Sequence, residues 1–154
     1  MYKRQVKKLD PTRVVIITDS GEWGSWVDSL TLADTVGISV YRKSYNPSLN
    51  LYITYPFPAG MYILKSSLVK NLSGTKDKKI MVTELQAEPW TQQAITDTVL
   101  EEQAKLFSLQ DFKNIIQYSQ KTGFDEHYLW GVEWWYWMES QGYPQYLDFA
   151  KELF

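Results

Sequence analysis

The chain contains no cysteine, so disulfides, thiolate catalysis and cysteine-ligated metals are excluded, while the redox compartment stays open. Histidine occurs once, at His127, which rules out a histidine-rich metal centre. No run of about 18 consecutive apolar residues occurs, so no membrane span is expected. The basic first residues have no apolar stretch behind them, so no signal peptide is expected. The compartment is left open, with the cytoplasm as the default. Charge of one sign is also scarce. The 16 basic and 18 acidic residues leave a net charge of −2, and no long basic run marks a nucleic-acid partner. The cluster Lys3, Arg4, Lys7, Lys8 reads as a solvated helix face. EF-hand spacing is lacking, and the glycine-bearing stretch Asp19–Trp26 (DSGEWGSW) has neither dinucleotide spacing nor a P-loop lysine. No cofactor and no metal are therefore expected.

What is abundant is aromatic surface. Seven Trp, eleven Tyr and six Phe make 16% of the 154 residues. Aromatics fill cores at low entropy cost, but Trp23, Trp26 and Trp90 fall in loops that follow apolar runs. A cleft that stacks sugar rings needs flat aromatic faces there.

The length suits one domain, residues 1–154, with a sizeable core. Tyr2–Leu9 reads as a helix stopped by Asp10-Pro11. Arg13–Thr18 (RVVIIT) is a continuous β-branched run, the mark of a strand buried on both faces in a parallel sheet. A short helical link over Ser29–Ala33 leads to a second strand, Thr35–Tyr41. A long loop, Arg42–Pro58, carries three prolines. Ala59–Leu72 has helical spacing of Met61, Leu64, Leu68, Val69 and Leu72. Lys79–Thr83 is a third strand, ending at Glu84. Leu100–Gly123 holds one or two helices, with Ser108 and Asp111 at capping-box spacing. His127–Glu133 is a fourth strand, followed by the WWYWM run, and Pro144–Phe154 is a last helix. Strands alternating with helices imply an α/β fold with parallel strands and right-handed crossovers.

The most informative stretch is Lys79–Trp90. It runs from a buried strand through the carboxylate of Glu84 into a polar and aromatic loop with Gln86, Glu88, Pro89 and Trp90. An acid at the carboxyl end of a parallel strand is where barrel enzymes keep catalytic groups. The alternative reading of Glu84 is a structural acid that caps a helix or pairs with a lysine. Glu22 lies in the loop after the first strand, Glu88 four residues beyond Glu84 in the loop after the third, and Glu133 at the end of the fourth. Each is either a substrate contact or a solvated or paired acid, and Glu22 is also a candidate substitute proton donor. Asp19 reads as a loop-ordering residue, Arg42 as a partner for one of these acids, and His127, which opens the last strand far from the site, as structural.

The ordered set LDPTRVVIITDSGEWGSW, ADTVGISVYRK, IMVTELQAEPW and YLWGVEWWYW resembles the last four strands of the retaining glycoside hydrolase barrels of the cellulase, mannanase and β-galactosidase type. The resemblance covers about Val6 to Phe154. It implies a parallel (βα)4 half of a TIM barrel, strands five to eight, with helices on the outer face, acting on β-linked oligo- or polysaccharides. It implies Glu84 as nucleophile at the end of strand seven, Tyr41 as the strand-six tyrosine that orients it, and Trp134 or Trp135 as the strand-eight tryptophan under the sugar. Trp23, Trp90, Glu22, Glu88 and Glu133 would then line the substrate cleft. The family's acid/base glutamate follows an asparagine on strand four, which would precede Met1, and no Asn-Glu pair occurs in the chain. A complete barrel needs ~200–250 residues. The expected partners are therefore a carbohydrate and either an N-terminal half-barrel or a second copy of the chain. The competing expectation is a non-catalytic carbohydrate- or partner-binding half-barrel.

Overall fold

A computed structural model describes residues 2–154, apart from the Tyr2 side chain. Four strands, β1 (Ile16–Ser20), β2 (Thr35–Val40), β5 (Lys79–Gln86) and β6 (His127–Trp130), form one parallel sheet in the order β1-β2-β5-β6. Between β2 and the next helix an antiparallel hairpin, β3 (Lys43–Asn46) and β4 (Leu51–Thr54), stands apart from that sheet. The helices are α1 (Tyr2–Leu9), α2 (Val27–Leu32), α3 (Gly60–Leu72), α4 (Leu100–Leu106), α5 (Leu109–Ser119), α6 (Val132–Ser140) and α7 (Gln145–Lys151). The α/β class and the parallel sheet agree with the strand–helix alternation. Among the described residues, no helix is long and apolar enough to cross a membrane.

The sheet positions the site through its two faces. Val36, Ile38, Val40, Ile80, Val82 and Leu85 are buried in a single cluster with Leu30 of α2, Tyr62 and Val69 of α3, Phe112 and Ile115 of α5, Met138 of α6 and Leu147 of α7. Alternation along a strand then turns Gly37 and Ser39 to the opposite face. On β5 the alternation breaks. Ile38 pairs with Val82, but Ser39 pairs with Glu84, so Thr83 is an extra residue in the ladder. This β-bulge sets Glu84 beside Ser39 on the face away from the helices; without it, a period of two from Ile80 and Val82 would aim Glu84 into the core. The neighbouring ladder shows the same shift, with the four residues Val82 to Leu85 opposite the three residues His127 to Leu129. Gly37 makes room for the bulge: a Cβ there would lie 2.5 Å from Thr83 Cγ2.

Several boundaries differ from the sequence expectation. β1 starts at Ile16, not Arg13, because its partner strand begins at Thr35, which pairs with Ile16. Arg13 is held outside by Asp10, 3.0 Å away. The expected long loop at Arg42–Pro58 contains the hairpin. The last strand stops at Trp130, not Glu133. Gly131 takes φ 132°, and the helix starts at Val132, so Glu133, Trp134 and Trp135 are helical. The capping box at Ser108 forms as expected: Asp111 N–H donates to Ser108 Oγ (3.1 Å) and Ser108 N–H to Asp111 Oδ2 (2.9 Å), which satisfies two free donors of α5.

Candidate active site

The carboxyl ends of all four parallel strands open into one cavity of about 720 Å3. Ser20, Glu22 and Trp23 reach it from β1 and the turn after it, Ser39 and Tyr41 from β2, Ser44, Tyr45 and Tyr55 from the hairpin and its exit, Glu84 from β5, Glu88, Trp90 and Ile95 from the segment that follows, and Trp130 from β6. A recess of about 360 Å3 continues down the open sheet face between Thr18, Asp19, Ser20, Ser39 and Glu84. Small polar side chains there leave space in front of the carboxylate.

At the centre, the Tyr41 hydroxyl donates to Glu84 Oε2 at 3.2 Å. Burial first, and the Glu84 charge second, push the Tyr41 phenol well above its ordinary value, so it keeps its proton and can only donate to the carboxylate at neutral pH. The Tyr41 ring is held from the other side by Trp90, with centroids 5.0 Å apart and planes at 86°. Its backbone N–H donates to Glu22 Oε1 (3.0 Å). The same oxygen accepts from the Tyr62 hydroxyl at 2.7 Å. Glu22 is thus part of the scaffold that fixes Tyr41, although it also borders the cavity. Burial raises its proton affinity in spite of those two donors. Nearby, Lys65 Nζ donates to the Gly21 carbonyl (2.8 Å) and lies 4.1 Å from the Trp26 ring.

Glu88 is the third cavity carboxyl. Trp130 Nε1–H donates to its Oε1 at 3.0 Å. Burial, joined by repulsion from Glu133, lifts its proton affinity. A carboxyl of raised proton affinity in a cleft is suited to the role of proton donor. Gln86, 1% exposed, ties the parts together. Its Oε1 accepts from the Arg42 and Lys43 amides, both at 2.9 Å, and its Nε2 donates to the Lys43 carbonyl (2.6 Å) and the Glu88 carbonyl (3.2 Å). The end of β5, the start of the hairpin and the Glu88 turn therefore share one buried amide.

Of the residues expected in the site, Glu84, Tyr41, Glu22, Trp23, Glu88 and Trp90 line the cavity, and Glu133, Trp134 and Trp135 do not. Trp134 and Trp135 are 2% and 4% exposed. Trp134 Nε1–H donates to Gln103 Oε1 (2.9 Å), and its ring meets Tyr146 at 4.5 Å. Trp135 Nε1–H donates to the Ala87 carbonyl (2.7 Å), and its ring stacks on Phe112. On a helix, positions 134, 135 and 138 share one face, and that face is the core. Trp130 instead supplies the indole at the end of the fourth parallel strand. The signal for it was the Trp130-Gly131 pair, since glycine with positive φ ends a strand. Trp26, a possible platform by its loop position, is fully buried and donates its N–H to the Ser20 carbonyl (2.7 Å). Among the described residues Arg42 pairs with no acid; it lies 4.1 Å from the Tyr118 ring and donates to the Phe57 carbonyl. Asp19 does order its loop, accepting from Ser20 N–H (2.8 Å) and Ser29 Oγ–H (2.9 Å). Tyr45 of the hairpin, Tyr55 at its exit and the small Ser20 and Ser39 gave no signal in the sequence, because only the tertiary fold brings them to the cavity.

Comparison with family models, with curated proteins and with solved structures found no match for the chain. Among the described residues, no group of three or more His, Asp or Glu side chains is placed to hold a metal ion. The chemistry available in the cavity is that of carboxyl groups: one bonded to a phenol and facing open space, and two with raised proton affinity, all among exposed aromatic rings.

Proposed function

We propose that this chain carries the nucleophile half of a retaining glycoside hydrolase, acting on β-linked oligo- or polysaccharides, with Glu84 as nucleophile and Tyr41 as the residue that orients it. The observation that carries this reading is the 3.2 Å hydrogen bond from Tyr41 to Glu84 at the mouth of a cavity where parallel strands end. Active sites of parallel barrels lie at that end.

The reaction has two steps. Glu84 attacks the anomeric carbon, the glycosidic bond breaks, and the leaving oxygen takes a proton from an acid. Water, deprotonated by the same group, then releases the sugar from Glu84. Tyr41 keeps one carboxylate oxygen in place, leaving the other to attack. The two carboxyl groups of such a pair stand ~5–5.5 Å apart. The resemblance draws the acid from another half-barrel. Glu88 and Glu22, with raised proton affinity, are the carboxyls of this chain whose replacement tests that assignment.

The architectural part of the proposal is a (βα)4 half-barrel. Its support is that strand order follows chain order, β1-β2-β5-β6. With right-handed crossovers, such an order puts every connecting helix on one face, as in a barrel and unlike a doubly wound sheet, whose order reverses. Among the described residues, β1 and β6 each pair on one side only. Ile16 and Tyr128 stand exposed on those outer strands, and unpaired edges call for cover. A complementary half-barrel or a second copy would supply it.

The test is trapping with a 2-fluoro glycoside bearing an activated leaving group, followed by peptide mass mapping. The label is expected on Glu84; a label on any other residue refutes the assignment. Light scattering on the purified protein separates a monomer from a self-completing dimer.

A further inference from the structure

We infer that the outward face of α3 is a dimer interface, on which a second copy of this chain packs its own α3 about a twofold axis near Leu68. The inference is independent of the glycosidase reading above.

Tyr62 and Val69 anchor α3 in the core. The outward side shows Ile63, Leu64, Leu68 and Leu72 to water at 52%, 74%, 59% and 74%. The other exposed positions of the helix are Gly60, Ser67 and Asn71, so among the described residues of α3 no exposed one is charged. A helix that meets only solvent carries charged and polar residues on that side. Its two lysines stand off the face. Lys65 Nζ is turned inward, to the Gly21 carbonyl (2.8 Å) and the Trp26 ring (4.1 Å). Lys70, partly exposed, falls on the flank opposite Leu68 by the helical period. Leu32, 59% exposed, ends α2, which packs beside α3.

Area, geometry and charge select the occupant. These five aliphatic side chains present roughly 500 Å2, toward the upper end of the ~300–600 Å2 of the largest apolar patch on a monomer. One partner's share of a standard interface is ~800 Å2, a little over half of it apolar, so the patch is large enough for one. Leu64, Leu68 and Leu72 lie one turn apart along an i, i+4 row, the ridge that packs against the same row of another helix at about −50°. A twofold axis at the middle residue sets Leu68 against the partner's Leu68 and Leu64 against the partner's Leu72, so one patch serves both sides. The lack of charge fits a like copy, which brings no repulsion. It does not fit a lipid surface, where an amphipathic helix brings lysine and arginine. A half-barrel completing the sheet would leave this face bare. α3 lies between β2 and β5, the two inner strands, whereas the unpaired edges belong to β1 and β6.

The experiment is size-exclusion chromatography with light scattering on the purified full chain, diluted into the micromolar range. The native chain is expected at the mass of a dimer or an even multiple of it, and Leu68→Lys is expected to halve that mass. Leu68 is exposed, so the substitution spares the core, and near-UV circular dichroism checks that the variant folds. A second variant reads the same contact without breaking it. The native chain has no cysteine, so Leu68→Cys carries a single thiol. Mild oxidation is expected to link two copies through it, and to do so much faster than through Glu152→Cys, an exposed position beyond α7. A monomeric native chain overturns the inference. So does a mass that Leu68→Lys leaves unchanged, which would assign the association to the sheet edges instead. Linkage no faster in Leu68→Cys than in Glu152→Cys overturns it as well.

Discussion

Replacing Tyr41 by Phe removes one oxygen atom and tests the centre of the proposed chemistry. The ring stays where Trp90 holds it, 5.0 Å away, and the backbone N–H still reaches Glu22. What is lost is the 3.2 Å bond to Glu84. A hydrogen bond to a charged group is worth about 1.5–3 kcal/mol, and each 1.36 kcal/mol is tenfold in rate. If the bond aligns Glu84 for attack, trapping by a 2-fluoro glycoside slows by about 10- to 150-fold. An activated leaving group departs without a proton, so this rate reports attack alone and is indifferent to the source of the acid. The half-buried ring loses no packing, so the melting curve should move little. Tyr62→Phe is the control: it deletes a hydroxyl bonded to Glu22 rather than Glu84, and should slow trapping much less. An unchanged rate in Tyr41→Phe, or an equal loss in Tyr62→Phe, would refute the assignment of Tyr41 as the orienting group.

Three further outcomes follow from particular contacts. Gly37→Ala should destabilise the fold by about 1–3 kcal/mol through overpacking, since its Cβ meets Thr83 2.5 Å away; adding Thr83→Ala should recover part of that in urea unfolding, and strict additivity would sink the explanation. Glu22 has a raised proton affinity from burial, so its contribution to stability is fully present below its unfolded value, near 4.5, and is lost as pH rises through the folded value. Glu22→Gln keeps an acceptor for Tyr62 and Tyr41, so its melting temperature should gain on that of the native chain as pH climbs from 4.5 to 7; parallel curves would contradict the burial argument. Gln86→Ala strands the Arg42 and Lys43 amides, at about 1–3 kcal/mol for each buried unpaired group, and hydrogen exchange at those two amides should accelerate before the rest of the sheet does.

The parts of the fold visible in the sequence are those set by local pattern. Thr35–Ile38 and Ile80–Val82 are unbroken buried runs, and α3 and the Ser108 cap follow short-range rules of spacing and hydrogen bonding. Edges and turns followed longer-range facts. Val14 is apolar but exposed, because β1 can only begin where β2 offers a partner. The hairpin was masked by Pro47, Pro56 and Pro58, although β3 ends just before Pro47 and β4 lies between Pro47 and Pro56. In the site, Glu22, Glu84 and Glu88 and the loop tryptophans Trp23 and Trp90 were legible, while Glu133, Trp134 and Trp135 were not. Trp134 and Trp90 look alike in sequence. One lies in the core because Gln103 takes its N–H, and the other stands open against Tyr41.

Thr83 gives β5 two parities. Below it, even-numbered residues face the core; above it, odd-numbered ones do, Ile80 and Val82 on one count and Leu85 on the other. An insertion or deletion elsewhere in the strand would exchange Leu85 for Glu84 and expose the error as unfolding. At Thr83 the chain has room to gain or lose one residue while Val82 and Leu85 stay buried. Only the height and tilt of the carboxylate would then change. The bulge is thus the point where the aim of the Glu84 carboxylate can drift under mutation while the fold gives no sign of it.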